Sequence, residues 1–343
     1  MSAVEHLADE VFVPPLDHPG WGEKTDTEAG RLYHEATALE SAMARMPSKF
    51  TPRARREFDP VLKAKFDDFQ ATKGYSPGSV DMTLMDEFVL GRRLHFKPQR
   101  TGSCTISNTF RMWTRKVLAE VILRGQLEEP LGTTEYGPTS FAFYAPLSYG
   151  IARQMGNLRR GDGGFCEETI ESLMLGVLPC NNGNLLELLT QLGANADTDF
   201  PEPQNNDVYR KFQNWTYNER FKPFLKNPLI ESIPINNTDL LVETLEQFKP
   251  VPIASMLAVK KLGTHQGLSF FGIDRNNSWA HLMCWAGTIN WHGRKFVLLS
   301  NESWQANLIY PIPIDEVSKI FSSYRPSCLS LGEIDLDDSV VHA

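Results

Sequence analysis

Between residues 104 and 125 the apolar positions Ile106, Phe110, Trp113, Val117, Leu118, Val121 and Ile122 recur at steps of four, three, four, one, three and one. That stripe predicts an amphipathic helix. Ser103 suits the N-cap and Gly125 the stop. Upstream, residues 31–46 read as helix, and Phe58, Leu62, Phe66 and Phe69 mark a second helical pattern, broken at Gly74-Tyr75-Ser76-Pro77-Gly78. Downstream, helices are predicted over 140–155 and from Phe165 through Ile170, Leu173 and Met174 to near Gly176. Residues 195–237 are polar and broken by proline, and read as a long connection with short helices. From Lys249 the pattern changes to strands: Pro250–Val259, Leu268–Ile273, Ala280–Ala286 and Lys295–Asn301. The last two flank Asn290-Trp291-His292-Gly293-Arg294, a turn, and so form an antiparallel hairpin. A mostly helical first half and a mostly strand second half make an α+β chain of two lobes.

Composition narrows the classes of function. The net charge of −8 in 343 residues argues against nucleic acid as partner. No apolar run is long enough to span a bilayer, so no membrane partner is expected. Met1 to His6 has neither the basic start nor the apolar core of a secretion signal. Five cysteines with no CxxC pair fit a reducing, cytoplasmic compartment and make a metal-thiolate site unexpected; no metal and no cofactor is predicted. Gly161, Gly163 and Gly164 read as a turn, and with no GK[ST] after them a phosphate-cradling reading is weak. The basic cluster Lys49, Arg53, Arg55 and Arg56 reads as a solvated face.

Candidate chemistry begins at Cys104. It opens a helix, where unpaired amides and the helix dipole favour an anion and raise the thiolate fraction of a thiol. In the hairpin, His281 and Asn301 lie symmetrically about Trp291. They are expected to face each other at its open end, where the Asn amide could hold one imidazole nitrogen and leave the other aimed outward. His265, in a glycine-flanked loop, and His292, in the turn, are rival bases.

Gln99 followed by Gly102-Ser103-Cys104-Thr105 resembles the nucleophile motif of papain-like cysteine peptidases, in which a Gln precedes a Gly-Ser-Cys at a helix start. Gly163-Gly164, the helix after it and Gly176-Val177 resemble the family's next helical block. Pro250-Val251-Pro252-Ile253 resembles the strand opening its second lobe, and Ala280-His281-Leu282 its histidine strand. Phe296 to Asn301 with Ser303-Trp304 resembles its Asn-Ser-Trp strand end. The order Cys, His, Asn agrees, and the resemblance covers about residues 95 to 315. It implies a papain-like two-lobe fold, with Cys104 as nucleophile, His281 as base and Asn301 as the residue that orients the imidazole. Gln99 and the Cys104 amide would form the oxyanion hole. Trp304 would shield the His–Asn bond. The chain departs from the family pattern at three places: Gln99 stands one residue nearer the cysteine, Glu302 is inserted after Asn301, and Thr105 replaces an aromatic residue.

The expected organisation is an N-terminal extension over 1–95, acting as pro-segment or docking arm, a helical lobe over 96–240, and a β lobe with an acidic tail over 241–343. The expected function is peptide-bond hydrolysis on a polypeptide substrate. The alternative is a structural or assembly protein on the same scaffold, inactive or weakly active, such as a virion component held to a partner through residues 1–95. Docking of the extension away from the cleft is the favoured arrangement.

Overall fold

The computed structural model describes residues 6–11, 58–90, 104–123, 152, 164, 166–174, 229–230, 232–255, 258–277, 281–302, 308–324 and 326–334. Its helices are α1 (Pro60–Thr72), α2 (Met85–Leu90), α3 (Cys104–Leu123), α4 (Cys166–Met174), α5 (Thr238–Glu246) and α6 (Ile314–Tyr324). Its strands are β1 (Val80–Asp81), β2 (Leu229–Ile230), β3 (Val251–Ser255), β4 (Ala258–His265), β5 (Leu268–Asp274), β6 (His281–Trp291), β7 (Arg294–Ser300), β8 (Ile309–Pro313), β9 (Ser327–Cys328) and β10 (Glu333–Ile334). The expected helices over 31–46 and over most of 140–155, and the C-terminal tail past 334, lie outside the described residues.

The main sheet is antiparallel and runs β8-β7-β6-β3-β9. β6 is its spine. β7 pairs along one edge, while β3 pairs with the first half of the other edge and β1 with Gly287 and Thr288 beyond it. A mixed helical and antiparallel-sheet architecture therefore matches the α+β expectation. Residues 58–90, expected within the N-terminal extension, supply two helices, α1 and α2, and the strand β1 to this assembly. Asp59 caps α1 by accepting from the amides of Val61 and Leu62 at 2.8 and 3.1 Å, and Pro60 fills the first turn. Phe66 is buried between the rings of Phe88 and Phe248, with centroids at 5.1 and 5.8 Å.

The run Pro250–Val259 was expected as one strand, but the structure divides it. β3 joins the main sheet, whereas Ala258 begins β4, which pairs with β5 in a separate hairpin. A continuous apolar run shows burial and hides a change of sheet. The core packs α5 and α6 on the main sheet through Leu241, Leu245, Val317 and Ile320, against Trp285, Leu299 and Tyr310.

The β6–β7 hairpin closes on a two-residue loop. His292 and Gly293 have φ of 44° and 78°, the left-handed pair that matches the strand twist, and Trp291 pairs with Arg294. The centre of the turn is thus displaced from Trp291. A bulge between Trp285 and Gly287 then shifts the register again, so that Cys284 pairs with Ser300.

Candidate active site

The bulge decides whether His281 and Asn301 share a face. If the pairing of Gly287 with Leu298 simply continued, Asn301 would stand level with Cys284, an odd number of residues from His281 and on the opposite face. With one residue absorbed at the bulge, Asn301 stands level with Met283, two residues along from His281 and on its side of the sheet. The two are diagonal neighbours, not the direct pair expected. They still meet: His281 Nε2 lies 2.6 Å from Asn301 Oδ1, both residues being buried. An amide oxygen can only accept, so Nε2 carries the proton and the lone pair of a neutral ring resides on Nδ1. The main-chain N–H of Asn301 donates to the Leu308 carbonyl at 2.7 Å, which ties the backbone at this residue to the chain entering β8.

The rival histidines lie elsewhere. His292 is in the turn, and His265 Nε2 is 3.4 Å from the His292 carbonyl. His292 stands past the far end of β6 from His281, roughly 36 Å of strand away, and His265 lies beside it.

Cys104 is the first residue of α3, as the N-cap reading of Ser103 implies, and it is 9% exposed. One turn along, Asn108 donates to the carbonyl of Leu282, the residue after His281, at 2.5 Å. A further turn along, Arg111 donates to the carbonyl of Glu302, the residue after Asn301. Arg115 then forms a salt bridge with the Glu302 carboxylate and reaches Asp86 at 3.5 Å. Cys104, Asn108, Arg111 and Arg115 follow steps of four, three and four. At 3.6 residues per turn they fall within about 60° of one another on the helix surface.

This polar stripe was not anticipated. The apolar periodicity assigns the buried side of α3 to Ile106, Phe110, Trp113 and their companions. Of these only the Trp113 side chain is among the described residues, and it is buried. The structure buries the stripe that begins at Cys104 as well, with Asn108, Arg111 and Arg115 each at most 1% exposed. The available signal was the spacing itself, since these residues share one face with the nucleophile candidate.

Charge at the site follows from this packing. Burial alone would favour loss of the Arg115 proton, but Glu302 and Asp86 outweigh it and hold the guanidinium charged. Burial pushes the thiols of Cys166 and Cys284 well above their ordinary range and that of Cys328 up to about 12. Gly164, just before α4, sits so close to α3 that a Cβ there would lie 2.9 Å from Thr105 Oγ1. Gly164 therefore abuts the residue next to Cys104. Gln99 and Trp304, assigned to oxyanion hole and shielding, lie outside the described residues. Among the described residues no group of three or more His, Cys, Asp or Glu is arranged to hold a metal ion. No described helix is long and apolar enough to cross a membrane.

No protein-family model matches the chain, and no curated protein matches it. Among solved structures it is similar to xylellain, a cysteine protease from Xylella fastidiosa, at 14% identity and a TM-score of 0.44, covering 85% of this chain and 97% of that one. It is also similar to digestive procathepsin L 3 of Tenebrio molitor larval midgut, at 13% identity and a TM-score of 0.39, covering 89% and 79%. A third neighbour is the Amb a 11 cysteine protease, a ragweed pollen allergen, in its proform, at 15% identity and a TM-score of 0.39, covering 88% and 71%. These neighbours are papain-like cysteine proteases, alike to this chain only loosely in shape and sequence.

Proposed function

We propose that the protein is a papain-like cysteine peptidase acting through Cys104, His281 and Asn301. The observation that carries this reading is the hydrogen bond from His281 to Asn301, at the start of the strand that Asn108 ties to the Cys104 helix. With Nε2 protonated and held by Asn301, Nδ1 is the basic nitrogen. It takes the proton from the Cys104 thiol, and the thiolate attacks the carbonyl carbon of a peptide bond. A C–S bond forms and the carbonyl electrons move to oxygen, where the Cys104 amide and Gln99 would donate. The oxyanion then collapses, the C–N bond breaks, and the Nδ1 proton passes to the departing amine. In the second half His281 takes a proton from water, the hydroxide attacks the thioester, and the thiol leaves with its proton restored. Asn301 acts by fixing the ring: without it the imidazole can rotate, and Nε2 can lose its role as donor.

A polypeptide is the substrate this chemistry implies. Purified wild type and Cys104→Ala should be incubated with an unfolded protein and the products read by mass spectrometry. New peptide termini with wild type and none with Cys104→Ala are expected. Equal cleavage by both, or none by either, would remove the peptidase reading.

A further inference from the structure

Glu302 stands where the resemblance has no counterpart, inserted between Asn301 and Ser303-Trp304. It is 6% exposed, and it is gripped at two points by successive turns of α3. Arg111 takes its main-chain carbonyl. Arg115 takes both carboxylate oxygens, Oε2 in a close ion pair and Oε1 at 3.3 Å. Ser300, on the other side of Asn301, donates to Oε2 at 3.3 Å. The residues before and after Asn301 thus meet on one carboxylate, and that carboxylate is fixed to the helix whose first residue is Cys104.

We propose that Glu302 is a positioning residue: its clamp by Arg111 and Arg115 sets Asn301, and through it His281, in register with the Cys104 helix. The proposal rests on the peptidase reading for its catalytic consequence, but its geometric content stands apart from it. Charged pairs buried to this degree are costly to form. An apolar contact would hold a loop against a helix without that cost. A bidentate guanidinium–carboxylate pair adds direction as well as attraction, because the planar fork accepts one orientation. Asp86 on α2 completes the shell by facing the same guanidinium, so residues of the N-terminal segment take part in the register.

The test uses two variants of the full chain. Glu302→Gln removes the charge and keeps the shape. Glu302→Asp keeps the charge balance of the buried cluster, so the fold is retained, but withdraws the carboxylate by about one C–C bond, ~1.5 Å. The structural readout is the nitrogen-15 NMR signature of His281, which reports the protonated nitrogen and its hydrogen bond. Wild type should show a single tautomer with a protected Nε2 proton, and both variants should show exchange broadening or tautomer mixing. The kinetic readout is peptide hydrolysis, where kcat should fall about 10- to 100-fold with KM within twofold, as expected for misplacement of a base by about an ångström. A His281 signature and kcat unchanged in both variants would overturn the proposal and leave Glu302 as packing alone. If wild type cleaves nothing while the His281 signal still changes in the variants, the peptidase reading fails and the positioning role stands.

Discussion

Cys166 and Cys284 are fully buried, Cys328 is 4% exposed, and burial raises all three thiols. Cys104 is the most exposed of the four described cysteines and opens a helix, where the peptide dipoles favour an anion. Brief treatment with iodoacetamide near neutral pH, followed by peptide mapping, should therefore label Cys104 first. Prior labelling of Cys166, Cys284 or Cys328 would contradict the site. Asn301→Ala should leave the fold intact and lower kcat by about 10²-fold, the lower end of what a positioned base contributes. The measurement is steady-state hydrolysis beside an unfolding curve, since a loss of activity that tracks a loss of stability would not support the orienting role. At this scale the candidates themselves were legible. Cys104, His281 and Asn301 could be singled out from a helix stripe, a hairpin and a resemblance. Glu302 could be noticed only as an insertion, because nothing in a linear pattern shows that two arginines on a distant helix will surround it.

The element that positions the site is β6. Its start carries His281, its bulge brings His281 and Asn301 to one face, and its middle receives β1. Gly287 follows the bulge with φ of 153°, and a Cβ there would lie 1.9 Å from the Val80 carbonyl oxygen. Gly287→Ala should cost on the order of 3 kcal/mol or more in chemical denaturation, because backbone has to move. An unchanged unfolding midpoint would mean that β1 does not pair there. The sequence reading located both arms of this hairpin and missed its register. Alternation marks which residues are buried, but a single absorbed residue leaves that pattern almost unaltered in a strand buried on both faces. For the same reason β3 and β4 read as one strand. The helix α5 begins just past the polar connection read over 195–237 and drew no expectation, although Asn237 is a good N-cap whose Oδ1 accepts from the Leu240 amide at 2.8 Å.

Across the whole molecule, the N-terminal residues are tied into the β half. The Ala8 amide donates to the Ile309 carbonyl at 2.9 Å, and Lys261 pairs with Glu10 at 2.9 Å. His6 Nε2 and Tyr75 Oη meet the buried carboxylate of Asp81 at 2.9 and 3.0 Å, and Thr83 donates to its other oxygen. Burial works against the charge on Asp81, but the contacts with His6, Thr83 and Tyr75 hold its carboxyl below the ordinary 3.8. A depressed carboxylate contributes stability that is present above its unfolded value and lost as pH falls through the folded one. Asp81→Asn should lower stability by about 2–4 kcal/mol at pH 7, and the difference from wild type should shrink as the pH falls below ~4. A difference that stays constant down to acid would show that the charge is not what the cluster holds.

The central claim is that Cys104 and His281 act as a nucleophile and its base. The most direct measurement is the rate at which a peptidyl thiol-reactive electrophile modifies wild type and His281→Ala, with the adduct located by peptide mapping. A single adduct on Cys104, formed at least about 10²-fold faster in wild type than in His281→Ala, is the result this account predicts. An adduct on another cysteine, or equal rates in the two proteins, would contradict it.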